Sequence, residues 1–517
     1  MASKQDISVG ELRSRGVVKL REEGMFALWV KTACCNLTSK QLRKLAEITG
    51  KYARGYLLFT TRQIPIIPFV NLKDVEEVQE ELKTVYLALD RCGPTVRNVN
   101  VCYDSKICPE AVNNPLSLAE KLDNFWYVPM PNKVKIGVAG CKKDCIVSRV
   151  LTDIGFVGVE KDGSKGYDAF VGGRLGVNPF VGVKMAECLS EEASVRFVQN
   201  YFDLLRNEGK PGERSADLIK RLGVKKVKQE LNKNLREGLV LKPIECETRL
   251  VEKATDQMIL RIRATCGEVR ADQLRRIADI AERYGKGFVH FAVRGAPEIP
   301  CVQERQLESI RQELEEVGMQ VLDRGIDNLQ SCFGDYCTES NVDPQPLLRR
   351  IEKLVEEMKL NDLSIRISAA GCPNSCGIAH LNDIGFYGVV EPEVDTTKCN
   401  GCELCVPICK TKAIEVKDGV AVIDEEKCKH CAQCIVVCPF NAILEKRRGF
   451  AILVGGREGE DVRLGKVIAE FLSEDDALRI TERCLRVLKE RKSDVATIID
   501  EVGVEKFKKT LVPNAKK

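Results

Sequence analysis

Two periodicities run along the chain. Apolar positions alternate with polar ones, or run together, in GYLLFTT from Gly55, VKIGVAG from Val134, LSIRISAAG from Leu363 and GFAILVGG from Gly449, and these stretches predict strands. Apolar positions recur every three to four residues in TSKQLRKLAEITGKYA from Thr38, DPQPLLRRIEKLVEEMK from Asp343 and EDVRLGKVIAEFLSEDDALRITERCLRVLKER from Glu460, and these predict helices. In the first of them Leu42, Leu45 and Ala46 share one side, with Lys40, Arg43 and Lys44 opposite and Thr38 and Ser39 as cap residues. The alternation defines a mixed α/β (α+β) chain.

The pattern occurs twice. GYLLFTTRQIPIIPFV from Gly55 matches GFVHFAVRGAPEIPCV from Gly287, so that Arg62 answers Arg294. Cys141 answers Cys372, Cys145 answers Cys376 and Asp153 answers Asp383, each pair lying in a Cys-x3-Cys hook followed by Asp-Ile-Gly-Phe. Further on, VGGRLG from Val171 answers VGGREG from Val454, LSEEASVRF from Leu189 answers LSEDDALRI from Leu472, and LGVKKVKQEL answers VGVEKFKKTL. The spacing between matched residues jumps in the second half, which therefore carries roughly fifty extra residues between Val389 and Val454. The basic segment KRLGVKKVKQELNKNLREGLVLKP is expected to join the halves as a solvated helix face.

Composition narrows the classes. The chain has 517 residues, enough for several cores, with 30% charged residues and a formal net charge of +4, which indicates neither a nucleic-acid-binding surface nor an acidic solvating chain. The start, MASKQDISVGELRSRG, lacks an apolar signal core, and no apolar run is long enough to span a bilayer, so a cytoplasmic protein without membrane attachment is expected. The 24 cysteines then point to metal ligation and not to disulfides. Sixteen are clustered; Cys34, Cys35, Cys92, Cys188, Cys246, Cys266, Cys301 and Cys484 are scattered and read as small core residues.

The extra segment holds CNGCELCVPICK and CKHCAQCIVVCPF. Cys399, Cys402, Cys405 and Cys409 follow C-x2-C-x2-C-x3-C, and Cys428, Cys431, Cys434 and Cys438 repeat it before Pro439. In this bacterial two-cluster ferredoxin pattern the fourth cysteine of each run serves the other run's cluster. Cys399, Cys402, Cys405 and Cys438 are expected on one 4Fe-4S cluster, and Cys428, Cys431, Cys434 and Cys409 on a second.

Each hook also has an upstream pair: Cys102 and Cys108 before Cys141 and Cys145, and Cys332 and Cys337 before Cys372 and Cys376. Four thiolates from two loops suit a cubane cluster or a tetrahedral zinc. Ahead of the first hook stand Arg62 in TTRQ, Arg97 in VRNVNVC, and Lys133 and Lys135 in NKVKIGVAGC, where strand alternation turns both lysines to one face. Together they would make a cationic site for a small oxyanion.

This combination of Cys-x5-Cys, Cys-x3-Cys, TTRQ and paired lysines resembles the sirohaem-dependent sulfite and nitrite reductase family, over nearly the whole chain. The ferredoxin insert resembles the anaerobic, dissimilatory-related branch. The resemblance implies two halves about a pseudo-twofold axis, with ferredoxin-like domains over 1–85 and 241–320, sirohaem/4Fe-4S domains over 86–240 and 321–517, and an inserted ferredoxin domain over 394–446. It implies that Cys332, Cys337, Cys372 and Cys376 hold the active 4Fe-4S cluster and that Cys376 bridges to the sirohaem iron. Arg62, Arg97, Lys133 and Lys135 would bind sulfite, and Asn374 would lie near the macrocycle. Arg174 and Arg457 would meet the sirohaem carboxylates or, equally, shape a tight turn. Cys332 and Cys337 are one residue closer together than Cys102 and Cys108, a departure from the family spacing that bears on Cys337.

The implied activity is six-electron reduction of sulfite to sulfide, with electrons from a ferredoxin or another donor protein entering through the insert. Nitrite reduction to ammonia, or a multicluster electron carrier without sirohaem, are the alternatives, and a homo-oligomer or a larger redox complex is the expected setting. Cys102, Cys108, Cys141 and Cys145 would hold a further cluster that does not turn over substrate, because Asp327, Ser364 and Arg366 stand where the first half has Arg97, Lys133 and Lys135. A carboxylate there repels an anion.

Overall fold

The computed structural model describes residues 8–244, 257–322, 326–360 and 364–512. Cys246 and Leu363 lie outside the described residues. The chain divides into one unit of Met1–Arg174, Phe180–Leu322 and Glu458–Glu460, and a second of Leu175–Pro179, Asp323–Arg457 and Asp461–Lys517.

In the first unit, strands Val17–Lys19, Met25–Lys31, Pro65–Asn71 and Tyr56–Phe59 form a sheet whose last member is Glu268–Arg270 from the second half of the sequence. Reciprocally, Met258–Arg261, Pro297–Val302 and Phe288–Phe291 are completed by Asn36–Thr38 from the first half. The two ferredoxin-like segments thus trade a strand each and share a core. Helix Ser39–Tyr52 begins at the Thr38–Gln41 capping box and packs on helix Ala271–Tyr284, burying Leu42, Leu45 and Ala46 with Leu274, Ile277 and Ala278. Each large aliphatic side chain so buried is worth about 1.5–3 kcal/mol. Phe59 and Phe291, from matched strands, stack with centroids 3.8 Å apart.

The first unit also holds a mixed five-stranded sheet in the order Val183–Leu189, Ser164–Val171, Ile154–Lys161, Ile136–Ala139, Asn100–Val101, parallel at its Asn100–Val101 end. The basic segment after Lys220 is not a connector. Helices Ser215–Leu222 and Val224–Leu231 bury Leu218, Ile219, Val227 and Leu231 in this domain's core and turn their charged faces to water.

The second unit repeats this sheet as Lys466–Leu472, Ile443–Val454, Ile384–Val394, Ile367–Ala370, Gln330–Ser331. One prediction fails here: the helix read from Glu460 begins only at Glu474, where Ser473 caps it by accepting from the Asp476 amide. The preceding Lys466–Leu472 is an edge strand on Ile443–Val454, because sheet pairing overrides a pattern that also fits a helix.

In the first half, Ile154–Lys161 and Ser164–Val171 join through a two-residue turn, Asp162 and Gly163, both at positive φ. In the second half the equivalent strands run on as a ribbon, and residues 395–442 replace the turn. That insert contains the hairpin Ile414–Lys417 and Val420–Ile423, two short helices, and a small core in which Cys405, Ile414, Ala421 and Cys434 pack with Ile443 of the ribbon.

Candidate active site

The two hooks are built alike. After each first cysteine the chain turns through a non-glycine residue at positive φ, Asp144 or Ser375, and again through Val147 or Ile378. Such backbone costs about 1–3 kcal/mol per residue and persists where surrounding contacts fix it. The Asp-Ile-Gly-Phe sequence supplies those contacts. Asp153 accepts from the Lys135 amide at 3.0 Å, and Asp383 from the Arg366 amide at 3.0 Å. Two residues past the motif's Phe, Gly158 and Gly388 lie so close to the hook that a Cβ would stand 2.2 Å from the Gly140 carbonyl oxygen or 2.3 Å from that of Gly371.

Amides also point at sulfur. Gly140 N–H donates to Cys102 Sγ at 3.0 Å and Gly371 N–H to Cys332 Sγ at 3.1 Å, a matched pair. Burial pushes the Cys332 thiol up to about 12, reinforced by Cys376 and Cys337, and raises Cys372 well above its ordinary value, reinforced by Cys376 and Cys332. Burial likewise raises Cys102, with Cys145, Cys108 and Cys141 adding to it. Each set of four is therefore brought together. Cys337 is included, because its shorter loop closes through the 3₁₀ turn Gly334–Tyr336. The last cysteine of each hook, Cys145 or Cys376, is solvent-exposed.

In the insert, burial raises Cys405, with charge from Cys402, Cys399 and Cys438; burial also raises Cys428, with charge from Cys431 and Cys409. Cys399, Cys402, Cys405 and Cys438 line one recess. Cys438 thus bears on the first run and Cys409 on the second. Among the described residues no three His, Cys, Asp or Glu side chains converge tightly enough to hold a single metal ion; a cubane of four irons asks for a wider grouping. Four thiols per set, with amides aimed at sulfur, fit 4Fe-4S clusters.

The basic residues gather in the first unit. Burial, with Arg97 next, lowers Arg62 to about 10, while Asp90, Cys92 and Asp153 act against the shift. Its buried Nε and Nη2, and the buried Nε of Arg97, have no hydrogen-bond partner among the described residues. Lys135 is half-buried; desolvation, then Arg62, Lys133 and Arg214, push its ammonium well below the ordinary lysine value. Lys133 is exposed. Buried guanidinium donors beside a lysine whose ammonium is destabilised suit a small oxyanion.

Sequence reasoning missed the residues that hold this cluster. Asp90 pairs with Arg97 at 3.1 Å, and Cys92, expected to be inert core, accepts from Arg97 Nη2 at 3.2 Å. Cys188 is likewise not core but half-exposed. Asp153 is gripped by Arg214 and Ser215. No motif marks these pairs, since each links residues through space.

Arg174 bonds Asp217 at 2.6 Å, and Arg457 bonds Asp494 at 2.6 Å and Thr497 at 2.7 Å. Each also closes a turn by paired backbone bonds, to Phe180 and to Arg463. Asn374 donates to Glu339 at 3.0 Å and accepts from Lys410 at 3.2 Å. Arg294, the counterpart of Arg62, is buried and bonded to Glu458, whose charge also bears on Cys145.

Fold and cysteine sets together define a duplicated iron–sulfur redox protein, and comparison with known proteins makes this specific. The profile described as the nitrite and sulphite reductase 4Fe-4S domain matches residues 92–239 and 324–517, and that of the nitrite/sulfite reductase ferredoxin-like half domain matches 18–85 and 251–317. The chain belongs to the nitrite and sulphite reductase family. It is 31% identical over 265 residues to a Coenzyme F420-dependent sulfite reductase of Methanocaldococcus jannaschii, covering 50% of this chain and 42% of that protein. It is 26% identical over 438 residues to the chloroplastic ferredoxin–nitrite reductase of Betula pendula, covering 77% and 74%. It is 23% identical over 441 residues to sulfite reductase [ferredoxin] 1 of Mycolicibacterium paratuberculosis, covering 76% and 78%. The structure of Mycobacterium tuberculosis NirA shares the fold, with a TM-score of 0.74 at 19% identity over 99% of this chain and 92% of that one. No helix among the described residues is long and apolar enough to cross a membrane.

Proposed function

We propose that the chain reduces sulfite to sulfide with six electrons. The observation that carries this reading is Arg62, beside Arg97 and Lys135, whose buried Nε and Nη2 lack acceptors among the described residues. A buried donor without a partner costs about 1–3 kcal/mol, which an oxyanion's lone pairs offset on binding. Arg62 and Arg97 would grip the oxyanion through these donors, polarising oxygens that depart as water. Each departure consumes protons, and Lys135, its ammonium destabilised by burial and by Arg62, gives up a proton more readily than an ordinary lysine and regains one through exposed Lys133.

Cys332, Cys337, Cys372 and Cys376 would hold a 4Fe-4S cluster, with Cys376 shared with sirohaem and Asn374, Arg174 and Arg457 bordering the macrocycle. That cofactor pair, when bound, supplies the metal-centred multi-electron chemistry. Cys102, Cys108, Cys141 and Cys145 would hold a cluster outside turnover, since Glu458 already neutralises Arg294. The two sets in residues 395–442 would take electrons from a ferredoxin or similar donor protein.

Nitrite reduction is the second reading, favoured by the nitrite reductase among the relatives. A dense positive cluster suits the sulfite dianion better than the nitrite monoanion. The test is the visible spectrum and acid extraction of anaerobically reconstituted protein, followed by steady-state rates with each anion. The reading requires an extractable tetrapyrrole and a higher kcat/KM for sulfite.

A further inference from the structure

The insert is fastened to its domain asymmetrically. Lys410, directly after Cys409, donates to Asn374 Oδ1 at 3.2 Å, and Asn374 lies between Cys372 and Cys376. His430, between Cys428 and Cys431, accepts through its carbonyl from the Val390 amide at 2.9 Å and from Asn341 Nδ2 at 3.2 Å. The Asn341 amide donates in turn to the Gly371 carbonyl at 2.7 Å, one residue before Cys372. Cys431 itself bridges to Val390. These fastenings all flank the set Cys409, Cys428, Cys431, Cys434. The other set lines its own recess, where Cys402 is exposed and Leu404 and Phe440 are 48% and 46% exposed.

We infer that Cys409, Cys428, Cys431 and Cys434 are the inner thiol set, seated against the Cys372–Cys376 hook by Lys410, Asn374 and His430, and that Cys399, Cys402, Cys405 and Cys438 are the outer set that receives electrons first. The inference rests on the proposed function, in which all three sets carry clusters. Each transfer moves one electron: a reduced iron–sulfur donor protein is oxidised as the outer cluster is reduced, which is reoxidised as the inner cluster is reduced, and so to the hook. Two chains of short covalent and hydrogen-bonded steps, Cys409–Lys410–Asn374 and His430–Asn341–Gly371–Cys372, connect the inner set to the hook. Lys410 also places a positive charge beside the inner set, which favours its reduced state.

The test is electron paramagnetic resonance of the reconstituted full chain under stepwise anaerobic reduction. When the inner and hook clusters are both reduced, their signals are expected to broaden one another. Cys402→Ser leaves that broadening in place, and Cys431→Ser removes it; the opposite pattern overturns the inference. Should either variant fail to fold, Lys410→Gln serves instead. The inner cluster's midpoint potential then falls while the outer one's holds, and a shift confined to the outer cluster, or none, overturns the inference. Iron analysis separates the underlying reading: iron content unchanged in Cys372→Ser would remove the hook cluster and the proposed function with it, whereas reversed coupling removes only the order assigned to the insert.

Discussion

Asp90 accepts from Arg97 Nη2 at 3.1 Å while its second oxygen accepts from Trp126 Nε1 at 3.1 Å, and both members of the ion pair are buried. Removing one partner strands the other charge. Asp90→Ala is expected to lower the unfolding free energy by about 3–5 kcal/mol. Denaturant titration measures it, and a loss below about 1 kcal/mol would show that the pair is not enclosed in solution.

Arg62 should behave in the opposite way in stability and in function. Its desolvated guanidinium, with Nε and Nη2 unpartnered among the described residues, is a cost to the folded protein, so Arg62→Met is expected to be neutral or stabilising by thermal melting. The same change removes oxyanion donors and is expected to cut kcat/KM about 10²–10³-fold. A variant that loses stability and keeps activity contradicts the assignment.

Lys135 predicts a pH effect with a definite sign. Its folded pKa lies well below its unfolded one, so between the two the unfolded chain holds more protons, and stability rises with pH through that window. A bound dianion favours the ammonium form over the neutral amine, so Lys135 is expected to contribute proton uptake to sulfite binding, read by calorimetry in buffers of different ionisation enthalpy. Lys135→Met abolishes the uptake and lowers turnover without loss of iron.

His290 is buried, its Nδ1 2.8 Å from Asn36 Oδ1, and burial lowers its pKa to about 3. Its neutral form stabilises the protein above pH about 6.5, and that contribution is lost as pH falls towards 3, by at most about 4–5 kcal/mol. His290→Gln is expected to flatten the stability curve between pH 6 and 4, read by denaturant midpoints.

Replacing residues 395–442 by the Asp-Gly turn of the first half should leave the ribbon pairing of Ile384–Val394 with Ile443–Val454 intact. Circular dichroism is expected to show retained strand content, while bound iron falls by roughly eight atoms per chain. Unchanged iron would refute the two insert clusters.

The repeated hooks and the capped helix at Ser39 were legible because each is written in a short stretch with fixed spacing. Lys466–Leu472 was not, because Val467, Ile468 and Phe471 fit either period and only the neighbouring strand decides between them. Asp90, Cys92 and Glu458 were invisible for another reason: their partners Arg97 and Arg294 are met through folding, and nothing in RCG or REG announces them. The exchange of Asn36–Thr38 for Glu268–Arg270 was beyond reach for the same reason, as strands of three residues carry almost no pattern of their own.

That exchange governs how the protein can be made. The strand Tyr56–Phe59 leaves the ribosome long before Glu268–Arg270 is translated, and at about 5–20 residues per second its open edge waits on the order of ten to forty seconds. During this interval the nascent sheet is a template for unwanted pairing, so the amino-terminal half expressed alone should need a chaperone to stay in solution.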